Sequence, residues 1–448
     1  MRSFVPIILA IAATSGCGSD STTPGADAPT GNHPPPRVIS GGGIGDGAVD
    51  GVVNLYAIDD NTRMPITGAS VAVGTVTGTT DATGLFVANG VTGPQTVAIA
   101  AAGYRSELWI GANGANMTID LDAAVDPTTM QANLSGVIVG FDQISVPAGH
   151  HKTAVVSYSS DDHATSAENN LTTANGTNIC DTATADAACD FTVTTRTGHV
   201  ALLAAILDHD LNGTPTDGTD DTFTVIGWAT LGGLVVADGV DQTGDDLTVI
   251  AAADIGSITV DFGTPPASLP NVFAIAGVDL GTDGTLEIPQ LVAPTAPTIA
   301  VAPKLSGFAS ATYRLTALAS DTTGSTTLGA QSAVLLRGIA QPQLAAGTWL
   351  GVPGGVSLTR TTGAWTALPG ALVQGATYDT DATHHLLSVT AFDGSTSFTI
   401  PDMLALPTTG ALIGTASALQ GTLDLTNFSI DDDIGKVTGS AQQQLTVE

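Results

Sequence analysis

The residues whose types and spacing suit them for chemistry stand in one stretch, Asp208-His209-Asp210-Leu211-Asn212-Gly213-Thr214-Pro215-Thr216-Asp217-Gly218-Thr219-Asp220-Asp221. It begins as a calcium loop does. Side-chain oxygens alternate at Asp208, Asp210 and Asn212, and Gly213 supplies the sharp turn by which a chain wraps a hard cation. Pro215 then interrupts, Thr219 stands where a bidentate Glu would, and the flanking residues read as strands rather than helices. Two readings follow: a calcium site at Asp208, Asp210 and Asn212, or an Asp/Asn/Gly turn between two strands.

Other candidates are fewer. The adjacent pairs His150-His151 and His384-His385 do not suit one ion, because neighbours on a strand point to opposite faces; they read as loop histidines. The four tryptophans, Trp109, Trp228, Trp349 and Trp365, are the candidates for a sugar-stacking platform, and Trp349 and Trp365 flank a Gly/Pro-rich turn. Such residues more often lie in a core or at its rim. No HExxH, HxxE or GxSxG occurs, so neither a zinc peptidase nor an elbow-type hydrolase is signalled. No catalytic residue is expected.

The three cysteines divide between two tasks. Cys180 and Cys189 bracket a small polar segment, and neither CxxC spacing nor an activating base accompanies them, so the expectation is a disulfide. Cys17 follows Met1-Arg2, a short basic start, and Phe4–Ala13, an apolar run of signal-peptide length too short to cross a bilayer. The sequence Thr14-Ser15-Gly16-Cys17 resembles the bacterial lipobox, although Thr14 stands where that motif usually has Leu. The resemblance implies acylation of Cys17 and attachment to a lipid bilayer; the alternative is an ordinary signal peptide cut nearby. Gly18 in place of Asp implies no inner-membrane retention, so the outer membrane or cell surface is the expected location.

The elements that must carry these residues are strands. Only four of the 42 acidic residues are glutamates, and the chain has 53 glycines and only 11 Lys plus Arg. Aspartate and glycine serve turns, whereas soluble helices draw on Glu, Lys and Leu. The net charge of −31 repels polyphosphate, which sets nucleic acid aside.

An all-β chain of tandem β-sandwich domains is therefore expected after a signal peptide (1–16), then Cys17 and a flexible tether (17–50) too poor in apolar residues to fold. Three folded units follow, at 51–124, 125–262 and 263–448. In the second, the apolar run Val200–Leu207 is read as a central strand. The boundaries of the third rest on the proline-spaced stretch Pro289–Pro303, and its candidate strands include Leu386–Phe392, Ser397–Ile400 and Leu423–Leu425. The first unit is marked by Gly51-Val52-Val53-Asn54-Leu55-Tyr56, Pro65-Ile66-Thr67-Gly68-Ala69, Thr80-Asp81-Ala82-Thr83-Gly84 and Ala102-Gly103-Tyr104. These segments, in this order, resemble the carboxypeptidase regulatory-like domain, a transthyretin-like β-sandwich of many exported bacterial proteins. The resemblance implies a structural or ligand-binding module without activity of its own.

The functional expectation is a non-catalytic envelope lipoprotein that acts as a structural and binding scaffold, with polysaccharide or another envelope protein as candidate partner. The alternatives are an accessory to an envelope assembly or secretion machine, and a glycan-active hydrolase. The last would need two carboxylates facing each other in a deep pocket.

Overall fold

Alternating apolar and polar residues bounded by Gly, Asp and Asn leave the backbone little choice but paired strands. The computed structural model describes residues 43–447 apart from 46, 61, 126–128, 163, 165–167, 174–176, 183–187, 214–219, 322–328, 427 and 429–433. Among these, thirty strands form, and every helical element is a three-residue 3-10 turn. The chain is all-β. The expected signal peptide, Cys17 and most of the tether lie outside the described residues.

The first core lies between two sheets. One runs in the order Gly43–Ile44, Asn116–Leu121, Asp50–Asp59, Leu85–Thr92; the other includes Ser70–Val73, Gln95–Ala100 and Ser106–Ala112. Between them pack Val53, Leu55, Val71, Val97, Ile99, Trp109, Met117 and Ile119. The turn chemistry is as the sequence suggests: Gly84 has φ 75°, and the Asp81 carboxylate accepts from the backbone N–H groups of Thr83 and Leu85.

The folded body begins earlier than the expected tether end at residue 50. Gly43–Ile44 pairs with Asn116–Leu121, and Ile44 is fully buried. The absence of bulk that suggested a tether is what permits this approach, since a Cβ at Gly45 would stand 2.5 Å from the Asn116 carbonyl oxygen.

A second core fills a curled sheet of eight strands. Its path is Ile179–Thr182, His151–Tyr158, Gly198–Asp210, Thr222–Val236, Leu247–Val249, Gln131–Val139 and Asp190–Arg196, with Gln242–Thr243 beside Gln131–Val139. Gly198–Asp210 is central, as expected, and its unbroken apolar run has a simple cause: both faces are covered. Val200, Leu202, Ala204 and Ile206 face the second core, whereas Ala201, Leu203 and Ala205 face the third beside Trp228.

The boundary expected at residue 262 is crossed. Ile255–Asp261 pairs with Thr298–Pro303 and Gln343–Ala345, and this small sheet covers Asn271–Asp279, Thr285–Val292, Thr312–Ser320 and Ala330–Ile339 to make the third core. The stretch Pro289–Pro303, expected to break the pattern, instead supplies two edge strands, where a missing N–H costs no ladder bond. The region from 263 onward also holds a fourth core. Ser357–Leu358, Thr362–Ala364 and Ser397–Thr399 pack over Val373–Asp381, His384–Ala391, Leu412–Gly421 and Val437–Val447, burying Trp365, Tyr378, Leu387, Val389 and Phe398. Leu423–Leu425 is not a strand; the Asp424 carboxylate accepts from the Thr426 N–H and hydroxyl and holds a turn.

One twelve-stranded sheet runs through the first, third and fourth cores. Its joint is a parallel pairing of Ser106–Ala112 with His384–Ala391, Leu387 opposite Ser106 and Ala391 opposite Ile110. Early and late parts of the chain thus share one hydrogen-bonded sheet.

Candidate functional site

The hairpin of Gly198–Asp210 and Thr222–Val236 carries the Asp-rich stretch at its tip. Asp208 and Asp210 lie on one face of their strand and His209 on the other. The Asp208 carboxylate is 2.7 Å from Nδ1 of His150, and Asp210 is 3.6 Å from Nε2 of the same ring. Asp210 also accepts from the Asn212 backbone N–H at 2.8 Å. Asn212 adopts φ 48°, and its side-chain amide donates to the Asp220 carbonyl. The three calcium candidates are therefore engaged with His150 and the turn itself, and residues 214–219 of the loop lie outside the described residues.

On the opposite face, strand register assembles a group that the sequence did not suggest. His151 stands opposite His209, and Thr153 stands opposite Asp181 on the edge strand Ile179–Thr182. One donor atom from each of His151, Asp181 and His209 lies within 4.8 Å of the others. His151 Nδ1 is 3.1 Å from Asp181 Oδ2, and His209 Nδ1 is 3.6 Å from Asp181 Oδ1. Nε2 of His209 donates to the Asp221 carboxylate at 2.8 Å, and the ring stacks on Phe223 with centroids 4.2 Å apart. Nδ1 of His209 is buried without a hydrogen-bond partner.

Asp181 is partly desolvated, which alone would raise its pKa. Hydrogen bonds from Thr153 and His151 outweigh that and hold it below the usual carboxylate value. The adjacent Cys180 is disulfide-bonded to Cys189, with Cα atoms 5.7 Å apart, as expected. His151, His384 and His385 sit on strands rather than in loops.

A second polar cluster is buried where the first and fourth cores meet. Arg105 pairs with Asp122 and, at 3.3 Å, with Glu107. Burial pushes Glu107 up to about 7, and the nearby Asp122 adds to this while Arg105 opposes it. Asp60 and Asp120 are also raised, first by burial and then by Asp122. Burial alone would lower the pKa of Arg105, but the carboxylates of Asp122 and Glu107 raise it instead. Two guanidiniums, Arg105 and Arg63, face the four carboxylates of Asp60, Glu107, Asp120 and Asp122.

Glu107 and Asp120 line a cavity of about 50 Å³ with Arg105, Trp109, Phe392 and Phe428. That volume holds a few waters, well short of the several hundred Å³ of a typical ligand site. The tryptophans provide no sugar platform, since all four are at most 8% exposed; Trp349 and Trp365 enter different cores, the third and the fourth. Packing reserved them for the interior, where Trp349 donates its indole N–H to the Phe262 carbonyl at 2.8 Å.

No protein-family model and no curated protein matches the chain. Among solved structures, it resembles the Bacillus anthracis TIE protein at 9% identity and TM-score 0.14, covering 66% of this chain and 49% of that one. It also resembles the shaft pilin SpaA of Lactobacillus rhamnosus GG at 12% identity and TM-score 0.12, covering 45% of this chain and 97% of that one. A variant of BcpA, the major pilin subunit of Bacillus cereus, aligns at 9% identity and TM-score 0.15, over 66% and 97%. The chain thus spans about half the length of the first of these proteins. Superpositions at these TM-scores carry no argument about function.

Proposed function

We propose that this chain is a non-catalytic structural and binding protein of the cell envelope, exported and held at the outer membrane or cell surface through acylated Cys17. The observation that carries the reading is the twelve-stranded sheet, which joins early strands to late ones and runs through the first, third and fourth cores as one continuous body. Such a body suits load-bearing or display. The disulfide is consistent with an oxidising compartment. The carboxypeptidase regulatory-like resemblance of residues 51–124 supports a module that works by contact, with polysaccharide or an envelope protein as partner.

The test is metabolic labelling with radioactive palmitate in a bacterial host, with Cys17→Ser alongside, followed by fractionation. Label and envelope association should both be lost in the variant. Recovery of the unprocessed protein in the cytosol, or envelope attachment that ignores Cys17, would overturn the proposal.

A further inference from the structure

We propose that His151, Asp181 and His209 bind a late divalent transition metal, Zn2+ being the first to test, and that the metal fastens the edge strand Ile179–Thr182 to the eight-stranded sheet. Two imidazoles and a carboxylate are a donor set suited to zinc and its neighbours. Metal–ligand bonds of about 2.0–2.2 Å in a tetrahedral array place donor atoms roughly 3.3 Å apart. His151 Nδ1 stands 3.1 Å from one Asp181 oxygen and His209 Nδ1 3.6 Å from the other, and one donor atom of each residue lies within 4.8 Å of the rest, so small side-chain rotations bring three donors to that spacing.

The state of His209 points the same way. Its side chain is nine-tenths buried, and Asp221, itself largely buried, can only accept a hydrogen bond when ionised. A ring proton therefore sits on Nε2, and in the neutral imidazole Nδ1 keeps its lone pair, buried without a hydrogen-bond partner and 3.6 Å from the Asp181 carboxylate. A carboxylate on the far nitrogen of a ligating histidine is the usual support of a metal site, because it fixes the tautomer and the ring plane. Stacking on Phe223 restrains the same ring.

A simple ion pair would explain less. An imidazolium–carboxylate hydrogen bond would close to about 2.8 Å, whereas His209 Nδ1 and Asp181 Oδ1 stand 3.6 Å apart. The Asp181 side chain is 40% exposed, so water can complete the coordination. Ile179–Thr182 is the last strand of its sheet and is held otherwise by its ladder to His151–Tyr158 and by the neighbouring disulfide. A metal would add a cross-link from this edge to the central strand.

The experiment is isothermal titration of the full chain, stripped with chelator, using Zn2+, Co2+ and Ca2+ separately. A thermal melt with each metal and the visible spectrum of the Co2+ form accompany it. One equivalent of Zn2+ should bind and raise the melting temperature. His151→Ala and Asp181→Asn should weaken binding at least 100-fold, and Asp221→Asn by 10- to 100-fold through loss of the positioning hydrogen bond. His150→Ala, on the other face, should leave Zn2+ affinity unchanged. His151 is only partly buried, so circular dichroism of its variant should match the parent and exclude misfolding as the cause. Absence of stoichiometric Zn2+ binding would overturn the proposal. So would Zn2+ binding that survives His151→Ala and Asp181→Asn, or a site lost in His150→Ala alone, which would place the ion at Asp208 and Asp210.

Discussion

Replacing Glu107 by Gln tests whether the buried carboxylates between the first and fourth cores cost the fold stability at neutral pH. Glu107 is 6% exposed, lies opposite Ser388 across the parallel joint, and shares Arg105 with Asp122. Burial raises its pKa from 4.5 to about 7. The native state therefore holds this proton to higher pH than the unfolded chain does, and stability falls as pH rises between those two values.

At about 1.4 kcal/mol per pKa unit, the full loss is about 3 kcal/mol, of which about 2.5 kcal/mol falls between roughly pH 5 and pH 8. Glu107→Gln removes the titration while keeping the shape. Its absolute stability will shift with the changed bond to Arg105, so the informative quantity is the slope. Urea unfolding across that pH range should show the parent losing about 2.5 kcal/mol more than the variant. Hydrogen exchange in Ser106–Ala112 should localise the difference to the joint. Parallel pH profiles for the two proteins would refute the argument.

Removing the disulfide with Cys180→Ser and Cys189→Ser opens a loop of sequence separation 9 and should cost about 2.5 kcal/mol in the loop-entropy picture. Thermal melts with and without reductant check this, and the double variant should not respond to reductant. Trp228→Ala removes a fully buried ring that packs in the third core from a strand of the second sheet. It should cost about 3–5 kcal/mol and separate the unfolding of those two cores into distinct steps by circular dichroism.

The strand content was legible because it depends on local choices. Aspartate far in excess of glutamate, and glycine at turns, name the class, and the apolar run at Val200–Leu207 gives its central strand. Composition failed where strands are small and polar: Leu412–Gly421 reads LIGTASALQG and Val437–Val447 reads VTGSAQQQLTV, and neither shows a strong alternation of large apolar residues. They are strands because neighbours on both sides pair with them. Gly43–Ile44 failed for the same reason, since its partner lies more than seventy residues away.

The histidine group was hidden in a different way. Alternation places His151 and Thr153 on one face of their strand, but only register across three strands brings Asp181 and His209 to that face. The sequence had singled out His209's neighbours, Asp208 and Asp210, which point away from it.

The parallel joint also bears on how the chain reaches its final form. Ser106–Ala112 leaves the ribosome, and any translocation channel, well before its partner His384–Ala391, which follows about 280 residues later. Until then one flank of the early strand lacks its hydrogen-bonding neighbour and offers a template for wrong pairing. Contacts so distant along the chain slow folding and favour a requirement for a holding chaperone until the partner strand arrives. The earliest module synthesised would be among the last to mature.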